Sequence, residues 1–103
     1  MKKGILLHEA ADDVGVAAMD LKAGEDVQAV TLEGQLVTQI RLAQDIPLGH
    51  KVAMRDLAAE KHVIEYGRAI GRTTALIKLG EHVHVQNIKS LRWAASESKV
   101  LVE

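Results

Sequence analysis

The chain has 103 residues, with 13 Lys and Arg against 14 Asp and Glu, no Cys and no Phe. That balance gives no net field to draw in nucleic acid or an anionic membrane, and the lack of Cys excludes disulfides and thiolate metal ligands. No apolar run approaches the roughly 20 residues of a membrane span, and the one that follows Lys2-Lys3 stops at Leu7, too early for a secretory leader.

The expectation is one cytoplasmic domain over residues 1–103. Its core must be built from Val, Ile, Leu, Met and Ala, because Tyr66 and Trp93 are the only aromatic residues. In chain order, Gly4–His8 and Val14–Met19 are the first strand candidates. Asp12-Asp13 between them, like Glu25-Asp26 further on, lack the spacing of a calcium loop and read as solvated turns. Asp20-Leu21-Lys22-Ala23-Gly24 is a short polar turn with glycine at its fifth position, followed by the β-branched run Val27–Thr31. Leu36–Leu42 alternates as a half-buried strand does, and Asp45-Ile46-Pro47-Leu48-Gly49 is a second turn.

After the strand candidate Lys51–Met54, the first turn pattern recurs as Asp56-Leu57-Ala58-Ala59-Glu60, with Val63–Tyr66 behind it. Glu60 replaces the glycine, so this turn must differ or carry strain; one helical turn over Asp56–Lys61 is also allowed. Thr73–Leu76 leads into a third copy, Leu76-Ile77-Lys78-Leu79-Gly80, and then Val83–Val85. Unequal offsets between the copies argue for one turn device reused rather than a solenoid. Ala94–Val100 is too short for a stable helix and leaves a C-terminal tail from about residue 94. The sum is an all-β domain of seven or eight short strands with little helix.

Chemistry concentrates in three places. In a strand, alternate side chains share a face, so His82, His84 and Gln86 fall together while Val83 and Val85 point inward. Two imidazoles at this spacing can converge on one ion, with His8, Asp12 or Glu81 as the third ligand; the alternative is an ordinary solvated strand. Gly49-His50-Lys51 sets a titratable ring beside a cation where a strand opens, which suits a carboxylate or hydroxyacid. Tyr66 either fills the core or points its hydroxyl at a ligand, and Trp93 either seals the domain or anchors a partner. No phosphate-cradling loop or nucleophile triad is present.

Several blocks together resemble the altronate dehydratase family. They are His8…Asp12-Asp13-Val14-Gly15-Val16-Ala17…Asp20-Leu21-Lys22-Ala23-Gly24, then Ile46-Pro47-Leu48-Gly49-His50-Lys51-Val52-Ala53-Met54, then Val63-Ile64-Glu65-Tyr66-Gly67 and Gly80-Glu81-His82-Val83-His84-Val85…Asn87. They occur in order over about residues 5–93. The resemblance implies a SAF-type domain of β-clip fold. In that family it is either fused to a large catalytic region or made as a free small subunit beside one. The family's chemistry is elimination of water or sulfite from a sugar acid or hydroxyacid, usually with Fe(II).

For this chain the resemblance implies a small subunit, inactive alone, that completes a site with a separate large subunit. His50 and Lys51 would be catalytic near the substrate carboxylate, Tyr66 and Asn87 would touch substrate, and His82, His84 and His8 would face a metal held mainly by the partner. Family members often read His-x-His-x-His where this chain has Gln86, and an acid is common where Leu76 stands. The competing expectations are a non-catalytic module that binds a sugar acid or docks a large subunit, and a homo-oligomer joined through strand edges.

Overall fold

The computed structural model describes residues 2–84 and 86–90. Trp93, Ala94–Val100 and the expected tail lie outside them. Nine short strands and no helix occur among the described residues: β1 Ile5–Leu7, β2 Val14–Ala17, β3 Asp26–Thr31, β4 Leu36–Arg41, β5 Lys51–Ala53, β6 His62–Glu65, β7 Arg68–Thr73, β8 His82–Val83 and β9 Ile88–Ser90. The all-β expectation holds. The strand expected at Thr73–Leu76 lies earlier, because Arg68–Thr73 pairs with β6 through a two-residue hairpin. Tyr66 and Gly67 make that hairpin, both with positive φ (57° and 72°), the backbone a right-twisted pair of strands prefers.

Six strands form one sheet in the order β4-β3-β1-β2-β5-β8, and three form a second in the order β6-β7-β9. Among the described residues only β1 and β3 pair in parallel. Two apolar clusters result. Ile5, Leu7, Leu21, Val27, Ile40 and Ile46 belong to the larger. Val14, Ala53, Leu57, Val63, Ile77 and Val83 make the smaller, with Ile70 and Ile88 packed against it. The cores are aliphatic, as the composition requires; Tyr66 is 61% exposed.

The turn device is built four times, not three. Asp45–Gly49 is the missing copy. Second positions meet in pairs: Leu21 bridges Ile46, and Leu57 bridges Ile77. All four of these side chains are buried. At the fifth position φ is 88° at Gly24, 83° at Gly49, 63° at Glu60 and 85° at Gly80. Glu60 therefore adopts the glycine conformation rather than avoiding it, and no helical turn forms over Asp56–Lys61. First-position acids accept backbone N–H bonds from the facing turn: Asp20 from Leu48, Asp45 from Ala23, and Asp56 from Leu79.

Asp12 and Asp13 correct the solvated-turn expectation, being 1% and 5% exposed. Asp12 accepts the backbone N–H groups of Glu9 and Tyr66. Asp13 accepts that of Ile64 and lies within 3.3 Å of Lys61 Nζ and 3.5 Å of Arg55 Nε. Each carboxylate is buried because donors satisfy it, and together they tie the entry of β2 to β6.

Candidate functional site

The turn pairs deliver the site. Asp45–Gly49 hands the chain to β5, and Leu76–Gly80 hands it to β8. These two strands pair antiparallel with Lys51 opposite Val83 and Val52 opposite His82. One step further along that register sets His50 across from His84. The three imidazoles of His50, His82 and His84 thus meet at one place, with one ring nitrogen from each all within 4.8 Å of one another. Ring centroids are 4.7–5.4 Å apart, and the His82 and His84 planes differ by 11°. His50 Nδ1 and His82 Nε2 are 2.8 Å apart, a hydrogen bond in which one nitrogen donates and the other accepts.

The backbone under these rings is fixed by side-chain hydrogen bonds. Gln44 Oε1 accepts the His82 N–H. Asn87 Nδ2 donates to the His82 carbonyl at 2.7 Å, and Asn87 Oδ1 accepts the His84 N–H at 2.9 Å. Gln86 Nε2 also reaches the His82 carbonyl, at 3.4 Å. Burial holds the His82 imidazole below its ordinary value, and the neighbouring His50 and His84 push it the same way. A neutral imidazole keeps a lone pair free for an ion or a proton.

Beside the rings opens a cleft of about 450 Å³. His50, His84, Lys51, Glu65 and Ser90 supply its polar lining, and Ile70, Val83 and Ile88 its apolar wall. Lys51 Nζ stands 3.9 Å from Glu65 Oε1, whose side chain is only 12% exposed. Imidazoles, a carboxylate and an amine thus surround one small hollow, groups that can hold a charged small molecule and move protons.

The expected site residues divide. His50, Lys51, His82 and His84 come together. His8 does not join them; its ring lies 5.0 Å from that of Tyr66, at the β6–β7 hairpin. Asp12 and Glu81, the other candidate third ligands, are absent from the cluster, where His50 stands. Asn87 supports the backbone of both histidines. His84 lies beyond the end of β8, so the alternating face expected to carry Gln86 with it stops short. Glu65 and Ser90 were not singled out from the sequence. Only the pairing of β6, β7 and β9 brings them to the cleft, though the turn preceding Lys51 carries the same device as the one preceding His82.

Comparison with known proteins follows the same outline. Residues 2–91 match the family model described as altronate/galactarate dehydratase SAF domain. The (2R)-sulfolactate sulfo-lyase subunit alpha of Chromohalobacter salexigens is 39% identical over 94 residues, covering 90% of this chain and 100% of the relative. The altronate dehydratase of Escherichia coli is 42% identical over 86 residues, 84% of this chain but 16% of the relative. That of Bacillus subtilis is 33% identical over 90 residues, 87% of this chain and 17% of the relative.

Proposed function

The chain belongs to the altronate/galactarate dehydratase SAF domain family, and from that premise we propose that it is the small subunit of a lyase whose large subunit completes the active site. The reaction is elimination of water or sulfite from a sugar acid or hydroxyacid. A match spanning the full length of a sulfo-lyase alpha subunit favours the separate-subunit arrangement. The observation that carries the chemical reading is the cleft itself, with three imidazoles on one side and the Lys51–Glu65 pair on the other.

The residue types suit the reaction. A C–H bond α to a carboxylate breaks, its proton passes to a base, and the electron pair forms the new double bond as the leaving group departs with its own pair. Lys51 Nζ offers a cation to the substrate carboxylate, where charge builds in the transition state. Glu65 holds that amine over the cleft. The imidazole face offers a proton acceptor or donor beside the reacting carbons. Iron(II) facing His82 and His84 would supply Lewis acidity toward the leaving oxygen. The large subunit would close the cleft over these groups and supply the remaining substrate contacts.

The test is a tagged pull-down from the native host, followed by assay of what elutes on sugar acids and sulfolactate. Co-elution of a large chain with lyase activity that falls at least about 100-fold in Lys51→Ala carries the proposal. A large chain fully active without this one would leave the non-catalytic docking reading in its place.

A further inference from the structure

We infer that His50, His82 and His84 form a three-imidazole site for a divalent transition metal, complete within this chain. The inference rests on the lyase reading that sets a metal against His82 and His84 and deepens it by naming His50 as the third ligand, so that the ion is held by this chain's own residues.

Three observations carry it. The first is convergence. One ring nitrogen of each residue lies within 4.8 Å of the other two. Nitrogens bound to one ion at about 2.0–2.1 Å sit roughly 3–3.5 Å from each other. The pair His50 Nδ1 and His82 Nε2, at 2.8 Å, is slightly closer than that and has only to open by a few tenths of an ångström as the shared proton leaves, while side-chain rotation of His84, which is exposed, closes the rest. A hydrogen bond explains the first pair but gives no reason for a third ring in the same stack.

The second is preorganisation. The histidines sit at or beside the paired strands β5 and β8, and each backbone is pinned. His50 follows the positive-φ Gly49, donates its N–H to the Pro47 carbonyl and accepts from the Ala17 N–H through its own carbonyl. His82 and His84 are held by Gln44 and by both ends of the Asn87 amide. Fixed outer contacts of this kind are what orient imidazole ligands. Gln86, where the family often has a third histidine, turns to the His82 carbonyl instead, and His50, just before β5, supplies the third ring.

The third is donor chemistry. Among the described residues no carboxylate joins the cluster, so the donor set is three imidazole nitrogens. Such a set selects Fe(II), Co(II), Ni(II) or Zn(II) over Mg(II) and Ca(II), which demand oxygen ligands. Three protein ligands leave coordination positions for water or a substrate oxygen, and two of the three histidines line the cleft that would admit it.

The experiment uses the full 103-residue chain, stripped with chelator and titrated with Co(II), reading visible absorption and metal stoichiometry. One equivalent is expected per chain, with no competition from millimolar Mg(II) or Ca(II). His50→Gln, His82→Gln and His84→Gln should each weaken binding more than about 100-fold, while Asn87→Ala, which removes only an outer contact, weakens it about 10-fold. His8→Gln and His62→Gln should bind as the parent does. Circular dichroism separates lost ligands from lost fold. The inference is overturned if the folded chain binds no Co(II), if two of the three imidazoles can be removed without loss, or if His8→Gln costs as much as His50→Gln. Lyase activity in the pull-down is read separately, so either proposal can fail alone.

Discussion

The two pairs of facing turns are the same backbone made from different sequences. In the first pair, Asp20–Gly24 faces Asp45–Gly49. Both copies keep the first-position acid and the fifth-position glycine, and each acid accepts an N–H from the other turn. In the second pair, Asp56–Glu60 faces Leu76–Gly80. Leu76 has replaced one acid, and Glu60 holds φ at 63° with a side chain attached. What both pairs keep is the buried second position, Leu21 with Ile46 and Leu57 with Ile77. Burial of that contact fixes the crossing, and the caps and glycines refine it. The difference also has a place: the less ideal pair is the one built into the small cluster whose Val83 and flanking Ile70 and Ile88 wall the cleft.

The largest effects should come from that shared contact. Ile46→Ala and Ile77→Ala each remove a fully buried side chain and should each cost about 2–5 kcal/mol in urea unfolding. Ile77→Ala should weaken Co(II) binding more than Ile46→Ala, because its turn leads into the segment that carries two of the three histidines. Equal effects of both on metal binding would show that the two pairs act on the site alike. The next effect separates turns with the same φ. A Cβ at Gly24 meets nothing within 4 Å, whereas one at Gly80 would stand 2.5 Å from the Arg41 carbonyl oxygen. Gly24→Ala should cost about 1 kcal/mol, from backbone conformation alone. Gly80→Ala should cost about 3 kcal/mol, because backbone must move. Paired urea titrations read the gap.

Much of this was legible in the sequence. The β-branched runs mark most of the strands, and three copies of the turn are visible because a glycine or its neighbours repeat. The fourth was hidden by Pro47 at its third position and His50 at its sixth, which disguise a turn with the same buried isoleucine and the same positive φ. Recognising it would have set His50 and His82 at the heads of equivalent strands. His82 and His84 could be paired from their spacing; His50 could not, since its approach depends on the β5–β8 register. Asp12 and Asp13 look like any exposed acid pair. Their burial depends on the N–H groups of Tyr66 and Ile64, 54 and 51 residues further on, and nothing local announces such partners.

A smaller effect tests whether Glu60 is strained. Removing a side chain from a left-handed residue relieves about 1 kcal/mol, and the flexibility glycine adds to the unfolded chain offsets part of it. The ion pair with Arg72, at 3.8 Å and exposed on both sides, contributes little. Glu60→Gly should therefore raise stability by about 0.5 kcal/mol in thermal unfolding. A loss would mean that the Glu60 side chain has a contact that matters more than its backbone.

The smallest effect lies at the sixth position, where Glu25 and Glu81 each accept the N–H of the residue three before, Lys22 and Lys78. That backbone bond holds the Glu25 carboxyl below its ordinary 4.5, and the Lys2 ammonium, 3.1 Å away, adds to it. A group whose folded value is depressed stabilises the fold above its unfolded value and loses that contribution as the pH falls through the folded one. Glu25→Gln should therefore sit slightly below the parent in unfolding midpoint at neutral pH, and the gap should close as the pH drops below 4.5. Added salt should narrow the neutral-pH gap only in part, because it screens Lys2 but leaves the backbone bond in place. Complete loss of the gap in salt would make the ion pair, not the turn, the source of the shift.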